Sequence, residues 1–374
     1  MNLLFVIDNL GSGGAQRQMV NLACALTTRG HQVELFTYYP SNHYRPLLDE
    51  AAIPVHLSQK LSQFSLAPLA RLRRLIQQRR FDIVLSFLDT PNFYAAIACI
   101  GFGATKLIVS ERSMYPPGPL SLRLRLFHEC HRLADFIIVN SHHQRARMEQ
   151  EFPWMTHNIQ TIYNGFDLNT FSPLDTARRV DGKLDLLAVS SVAYKKNSLN
   201  LARALGICRE KYQLDVHVDW IGTHQISGEG TRAAQQTSDY LSEAGLSTNW
   251  NWLGERTDIP QMLANHDALI HPSYFEGLPN VVCEALACGR PVLASNVCDH
   301  PFLVQEGSTG YLFDPYSATA IAHAIFSFSQ SGVPARVKMG KTARDFAEKH
   351  LSLARYADEY ENLFVRLTGR TKRR

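Results

Sequence analysis

Tyr274-Phe-Glu-Gly-Leu-Pro-Asn-Val-Val-Cys-Glu-Ala-Leu-Ala-Cys-Gly-Arg-Pro-Val292 carries two carboxylates, Glu276 and Glu284, with seven residues between them, in a stretch that passes from loop to helix. An apolar strand signal over 268–271 precedes it, and Glu-Gly-Leu-Pro makes the bend. Residues 281–288 are good helix formers that stop at Gly289, before Pro291. A helix starting there turns its first N–H groups and the positive end of its dipole toward the bend, where an anion would be held. Glu276 lies at the mouth of such a site. Glu284 lies about one turn into the helix, where its carboxylate can accept hydrogen bonds from vicinal hydroxyls. The competing description makes Glu276 a helix N-terminal residue and Glu284 a solvated helix residue.

Outward from this segment, short apolar strands alternate with amphipathic helices. Strands are expected at 3–7, 33–37, 83–87, 107–110 and 136–140, with helices at 15–29 and 66–78. The pattern restarts at 184–189 and continues through 216–221, 251–253, 268–271 and 292–294. This is the layering of parallel α/β sheets, and 374 residues exceed the roughly 250–300 at which single cores stop growing. Two doubly wound domains follow, over 1–172 plus about 353–374 and over 173–352. The boundary falls near Phe171-Ser-Pro-Leu-Asp175, with a linker through Gly182. Residues 335–350 and 353–367 read as amphipathic helices.

No apolar run reaches the ~20 residues of a membrane-spanning helix, and 93–104, the longest, contains two glycines. The first residues lack a basic leader and read as a strand, not a signal peptide. Seven cysteines, odd in number and without a Cys-x-x-Cys spacing, point to free thiols and a cytoplasmic location. His128-x-x-His131 reads as a polar helix face, because no cysteine or carboxylate sits nearby at metal spacing. Residues 1–170 hold 16 Lys and Arg against 12 Asp and Glu, whereas 171–374 hold 22 of each, so the net +4 belongs to the first half. Arg71, Arg73, Arg74, Arg79 and Arg80 stand beside Leu66, Leu69, Leu72, Leu75 and Ile76; Arg123, Arg125 and Arg132 interleave with Leu120, Leu122, Leu124 and Phe127. Basic amphipathic helices of this kind suit an anionic bilayer surface, and ordinary solvated faces also produce them.

The 274–292 segment resembles the E-x7-E signature of the GT4 family of retaining glycosyltransferases, which have the GT-B fold. The resemblance extends over nearly the whole chain: Gly13-Gly-Ala-Gln16, Leu22-Ala, Arg29-Gly-His-Gln-Val33, Asn140-Ser141, Tyr163-Asn-Gly-Phe-Asp-Leu-Asn-Thr-Phe171 and Gly310-Tyr-Leu-Phe-Asp-Pro315 fall in the family's order. It implies two Rossmann-like domains facing across a cleft, an acceptor-binding one first and a nucleotide-sugar-binding one second, with the last helix crossing back to the first. It also implies that Glu284 binds ribose hydroxyls, that Glu276 with Gly277, Leu278, Pro279, Asn280 and Val281 holds the sugar and phosphates, and that Lys196 neutralises the leaving diphosphate. The turn at Gly13 and Gly14 would approach donor or acceptor.

A nicotinamide dehydrogenase is the rival α/β reading, but Gly11-x-Gly13-x-x places Gln16 where its third glycine belongs, and Glu34 sits inside the second strand, not at its end. The stretch Ser190-Ser-Val-Ala-Tyr-Lys-Lys-Asn197 departs from the family, which commonly has arginine where Ser191 stands; Lys195, Arg256 or Arg112 would have to replace that cation. Ser110-Glu-Arg112 stands where many relatives place a histidine against the donor sugar, as in members that build bacterial surface and lipid-linked glycans. Glu111 and Arg112 are therefore either cleft residues or an internal ion pair. The function implied is transfer of a hexose or N-acetylhexosamine from a nucleotide sugar, with UDP expected, to a growing or lipid-linked glycan. No Asp-x-Asp triplet is present to hold a metal, and no metal, cofactor or nucleic-acid partner is expected. A GT-B nucleotide-sugar epimerase and a non-catalytic sugar-nucleotide-binding protein are the alternatives.

Overall fold

The structure, a computed structural model, describes residues 1–62, 65–113, 118–174, 183–223 and 228–370. Residues 175–182, which hold most of the expected linker, lie outside them. The chain divides into two compact units, one of Met1–Gly165 with Leu353–Arg374 and one of Phe166–Ser352.

The first unit runs β1 (Asn2–Val6), α1 (Gly14–Thr28), β2 (Gln32–Thr37), α2 (Arg45–Glu50), β3 (Val55–Leu57), α3 (Ala67–Arg79), β4 (Ile83–Phe87), α4 (Asp89–Ala98), β5 (Lys106–Glu111), α5 (Leu122–Glu129), a 3-10 turn (Cys130–Leu133), β6 (Phe136–Val139), α6 (His142–Glu151) and β7 (Ile159–Thr161). Its seven strands form a parallel sheet in the order β3-β2-β1-β4-β5-β6-β7. Strand side chains alternate between faces. Leu3, Phe5 and Ile7 therefore enter one core with Met19, Leu22 and Leu26 of α1, while Leu4 and Val6 enter the opposite core with Leu72 and Ile76 of α3. At about 1.5–3 kcal/mol for each fully buried large side chain, these two layers hold the unit together.

The second unit runs β8 (Leu184–Val189), α7 (Ser198–Tyr212), β9 (Val216–Ile221), α8 (Glu229–Glu243), β10 (Trp250–Gly254), α9 (Ile259–Asn265), β11 (Ala268–His271), α10 (Asn280–Ala287), β12 (Val292–Ser295), α11 (His300–Leu303), β13 (Gly310–Phe313), α12 (Ala318–Gln330) and α13 (Gly332–His350). Its six parallel strands are ordered β10-β9-β8-β11-β12-β13. Leu186, Ala188, Val218 and Trp220 pack with Leu201 and Leu205 of α7 and Ile321, Ile325 and Phe328 of α12.

The last helix, α14 (Leu353–Thr368), belongs to the first unit, as the resemblance implies. Its Tyr356, Tyr360 and Phe364, four residues apart, lie in the core lined by α1. Gly165 makes that possible: a Cβ there would stand 2.6 Å from the Tyr356 side chain. Among the described residues, no helix is long and apolar enough to cross a membrane.

Candidate functional site

In the second sheet the chain leaves β8 toward β9 on one side, whereas β11 pairs on the other. The loops after β8 and β11 thus part at the point where the strand order reverses, the position at which open parallel sheets bind ligands. Lys196 comes from the first loop and Glu276 from the second, and the two form an ion pair. Main chain joins the loops, Tyr274 N donating to Lys195 O at 2.8 Å. Asn197, left-handed at φ 62°, donates through Nδ2 to Pro272 O and Pro315 O at 3.0 and 2.8 Å.

Beneath the pair lies a network that sequence reading missed. His271 Nε2 is 3.1 Å from Glu276 Oε1 and 3.2 Å from Ser273 Oγ, and the His300 ring packs edge-on to His271 at 5.3 Å. Ser295 Oγ donates to His271 O and Ser273 O, while Cys298 Sγ accepts from Glu276 N at 3.3 Å. Burial alone would raise the Glu276 carboxyl, but His271 and Lys196 outweigh it and hold it well below the usual range. Burial pushes His271 down, and it pushes His300 down to about 3. Glu276 is therefore a fixed anion on a floor of neutral imidazoles. His271 was visible as the end of a strand; its nearness to His300 is created by β11 pairing with β12.

Glu284 is buried, with 7% of its surface exposed, on α10. That helix starts after Gly277, Leu278 and Pro279, with no side-chain cap at Pro279, and continues through Asn280 and Val281. Arg344 Nη1 donates at its other end to Ala287 O at 2.7 Å and to Phe171 O at 2.8 Å, a cation on the helix C-terminus.

The other expected site residues lie on several elements. Ser191 is exposed on the loop after β8. Arg256 follows β10, the edge strand, and its Nε and Nη2 donate to Asp258 at 2.8 and 2.5 Å. In the first unit, Gly13 precedes α1 and Gly14 opens it; a Cβ on Gly13 would meet Gln16 Oε1 at 2.2 Å, because the Gln16 amide folds back to donate to Asp8. Arg112 forms no ion pair with Glu111. Its guanidinium lies over the Phe87 ring and donates to Ser110 Oγ, Asn164 Oδ1, Tyr356 OH and Tyr360 OH, joining β5 to α14. Arg73 donates to Ala98 O and Ile100 O at the end of α4; Arg71, Arg74 and Arg79 line a groove with His56.

His128 and His131 are not a polar helix face. Both are buried, and the fold brings them to Glu111, the last residue of β5. His131 Nε2 is 2.7 Å from Glu111 Oε1, which also accepts from Asn92 Nδ2 at 3.0 Å. Burial would raise the Glu111 carboxyl, but the two histidines hold it well below its ordinary value.

Comparison with known proteins agrees with this architecture. The family described as Glycosyltransferase Family 4 matches residues 12–170, and that described as Glycosyl transferases group 1 matches 175–346. The lipopolysaccharide glucosyltransferase WaaG of Escherichia coli K12 is 28% identical over 358 residues, covering 90% of this chain and 91% of WaaG. An Escherichia coli UDP-Gal:alpha-D-GlcNAc-diphosphoundecaprenol alpha-1,3-galactosyltransferase is 25% identical over 215 residues, 55% of this chain and 54% of that protein; the match thus spans about half of its length. The crystal structure of Anabaena HepE in complex with UDP superposes with a TM-score of 0.82 at 21% identity, over 98% of this chain and all of that one. The chain therefore belongs to the family 4, group 1 glycosyltransferases and is a glycosyltransferase with the GT-B fold.

Proposed function

We propose that the protein is a retaining transferase that moves a hexose or N-acetylhexosamine from UDP to a lipid-linked or growing glycan at the cytoplasmic face of a membrane. The observation that carries this reading is the Lys196–Glu276 pair, delivered by the two loops that part at the switch point of the second sheet. UDP in HepE and the lipid-linked and lipopolysaccharide acceptors named for the two relatives support the choice of donor and acceptor.

The second unit takes the donor and the first the acceptor. Glu284 accepts the ribose hydroxyls. The amides at the start of α10 and the Lys196 ammonium take the diphosphate, and Glu276 keeps that ammonium aimed before the donor arrives. The bond from the sugar C1 to the β-phosphate oxygen breaks as the acceptor oxygen bonds C1 on the same face, and the acceptor proton passes to the departing phosphate. Charge grows on UDP along this path, so Lys196 acts most strongly late in the reaction. Arg71, Arg74 and Arg79 bring the first unit to anionic lipid, at about 1 kcal/mol for each basic residue near the surface.

Incubation with a panel of nucleotide sugars and lipid-linked acceptors, read by product mass and UDP release, is expected to give one glycosylated product with α-linkage retained. Hydrolysis or epimerisation without transfer would overturn the reading. Glu284→Ala is expected to weaken UDP binding tenfold or more by calorimetry, at about 1.5–3 kcal/mol for each charge-assisted bond lost. An unchanged affinity in the folded variant removes the ribose role. Reversal of Arg71, Arg74 and Arg79 to Glu is expected to abolish co-sedimentation with anionic liposomes and leave UDP affinity intact; wild-type protein that stays in the supernatant at low salt removes the membrane role.

A further inference from the structure

The Glu111–His128–His131 cluster takes no part in the proposed transfer. Its residues are 0%, 2% and 0% exposed, and one ligand atom from each lies within 4.8 Å of the others. The Glu111 Oε2, His131 Nδ1 and Asn92 Oδ1 atoms are buried without hydrogen-bond partners among the described residues. Such orphans are costly to leave buried, so a cluster of them marks a place where something else belongs.

The spacing identifies what fits. His128 Nε2 stands 3.9 Å from Glu111 Oε2. That is beyond the roughly 2.7–3.2 Å of a direct hydrogen bond. A bridging water about 2.8 Å from each atom would have to subtend close to a right angle, a strained arrangement. A zinc-sized cation, at about 2.0–2.2 Å from nitrogen and carboxylate oxygen, spans the gap with small inward movement of the rings. Two imidazoles and one carboxylate are an established zinc donor set that leaves a fourth position open.

A fourth ligand has somewhere to sit. His128 also borders a cavity of about 20 Å³ lined by Ser113, Gln144, Arg147 and Met148, enough for one water. Gln144 Oε1 is itself buried without a partner there. On the opposite side, Asn92 Nδ2 orients the carboxylate by bonding Glu111 Oε1 and Ser110 O, as outer-sphere groups do for metal ligands.

We propose that Glu111, His128 and His131 form a binding site for one divalent transition-metal ion, Zn²⁺ by its donor chemistry, with a water as fourth ligand, bracing the end of β5 against the 3-10 turn. The ion lies in the first unit and stabilises it without touching the donor.

The test uses the full chain, stripped with a chelator and titrated with Zn²⁺ alone. One equivalent is expected to bind and survive gel filtration, with a rise in Tm. Co²⁺ in its place is expected to give the intense visible absorption of a four-coordinate centre. Glu111→Gln and His131→Asn are each expected to weaken binding more than about 100-fold, beyond the 10–100-fold typical of outer-sphere changes. If either variant fails to fold, the wild-type stoichiometry and Co²⁺ spectrum decide. Absence of stoichiometric uptake by wild-type protein, an octahedral Co²⁺ spectrum, or wild-type affinity in either folded variant overturns the site.

Discussion

Glu276 in the second unit and Glu111 in the first both lie at or beyond the C-terminal end of a parallel strand, both meet buried histidine, and both are held ionised. They differ in what faces them and in how far they are sealed. Glu276 and its partner Lys196 keep 13% side-chain exposure each, at the switch point of their sheet, and the cation comes from a loop that a ligand can approach. Glu111 and His131 have none, and their sheet reverses its order elsewhere, between β1 and β4. The same chemical pairing is thus left partly open at one switch point and fully sealed in the other sheet, and the proposed roles, substrate binding for the first and cohesion for the second, follow that difference.

The largest expected effect tests the sealed member. Glu111→Ala takes the acceptor from the buried His131 ring, and removing one partner of a buried pair costs about 3–5 kcal/mol. Urea denaturation of the first unit is expected to show a loss of that size, with UDP affinity of the folded fraction unchanged. A loss below about 1 kcal/mol would show that the cluster does not hold the unit together and would break the contrast.

Lys196→Ala tests the open member. Loss of one preorganised donor from an anion-stabilising site lowers kcat by about 10²–10³. The same substitution is expected to affect stability less, because the side chain is near solvent and Glu276 retains His271. Turnover within twofold of wild type would transfer the leaving-group role to another cation. Recovery of part of the rate by Lys196→Arg, with KM for the donor little changed, would sharpen the assignment to the departing phosphate.

What was legible follows from how local each signal is. The central strands β4 and β11 are buried on both faces and β8 and β9 each keep a buried apolar face, and the expected bounds of all four coincide with the observed ones. The three-residue strands β3 and β7 and the short β13 carry too few residues for a period to show, and the largely polar α8 has no strong apolar run. At the site, Lys196 and Glu276 were legible because each sits in a motif just after a strand. The groups beneath them were not. His300 joins His271 across 29 positions through strand pairing, and Glu111 meets His131 across 20, so spacing in the chain says nothing of either. The partners of Arg112, Arg73 and Arg256 were equally hidden: Tyr hydroxyls, carbonyls and Asp258 come to them only through the fold.

The smallest expected effect concerns the neutral floor of the open site. His300 has its pKa pushed down to about 3 by burial, with His271 beside it, and His271 is lowered by burial as well. An imidazole depressed in the folded state binds fewer protons there than in the unfolded chain. Stability of the second unit therefore falls as pH drops below the ordinary histidine value of about 6.5, by about 1.4 kcal/mol per pH unit for each such group. Glu276 behaves differently: its depressed carboxyl contributes stability that is present above about pH 4.3 and is lost only as pH falls through its folded value, so it does not shape the window from about pH 6 to 5. His300→Asn keeps a donor for the Ser295 carbonyl, which His300 Nδ1 meets at 2.8 Å, and removes one titrating group. Urea denaturation followed by Trp220, Trp250 and Trp252, in a Trp154→Phe background, is expected to show a shallower loss of stability between about pH 6 and 5 in the His300→Asn protein than in its parent. Equal slopes would mean that His300 takes up its proton without unfolding, and that the floor under Glu276 is as open to protons as Lys196 is to the donor.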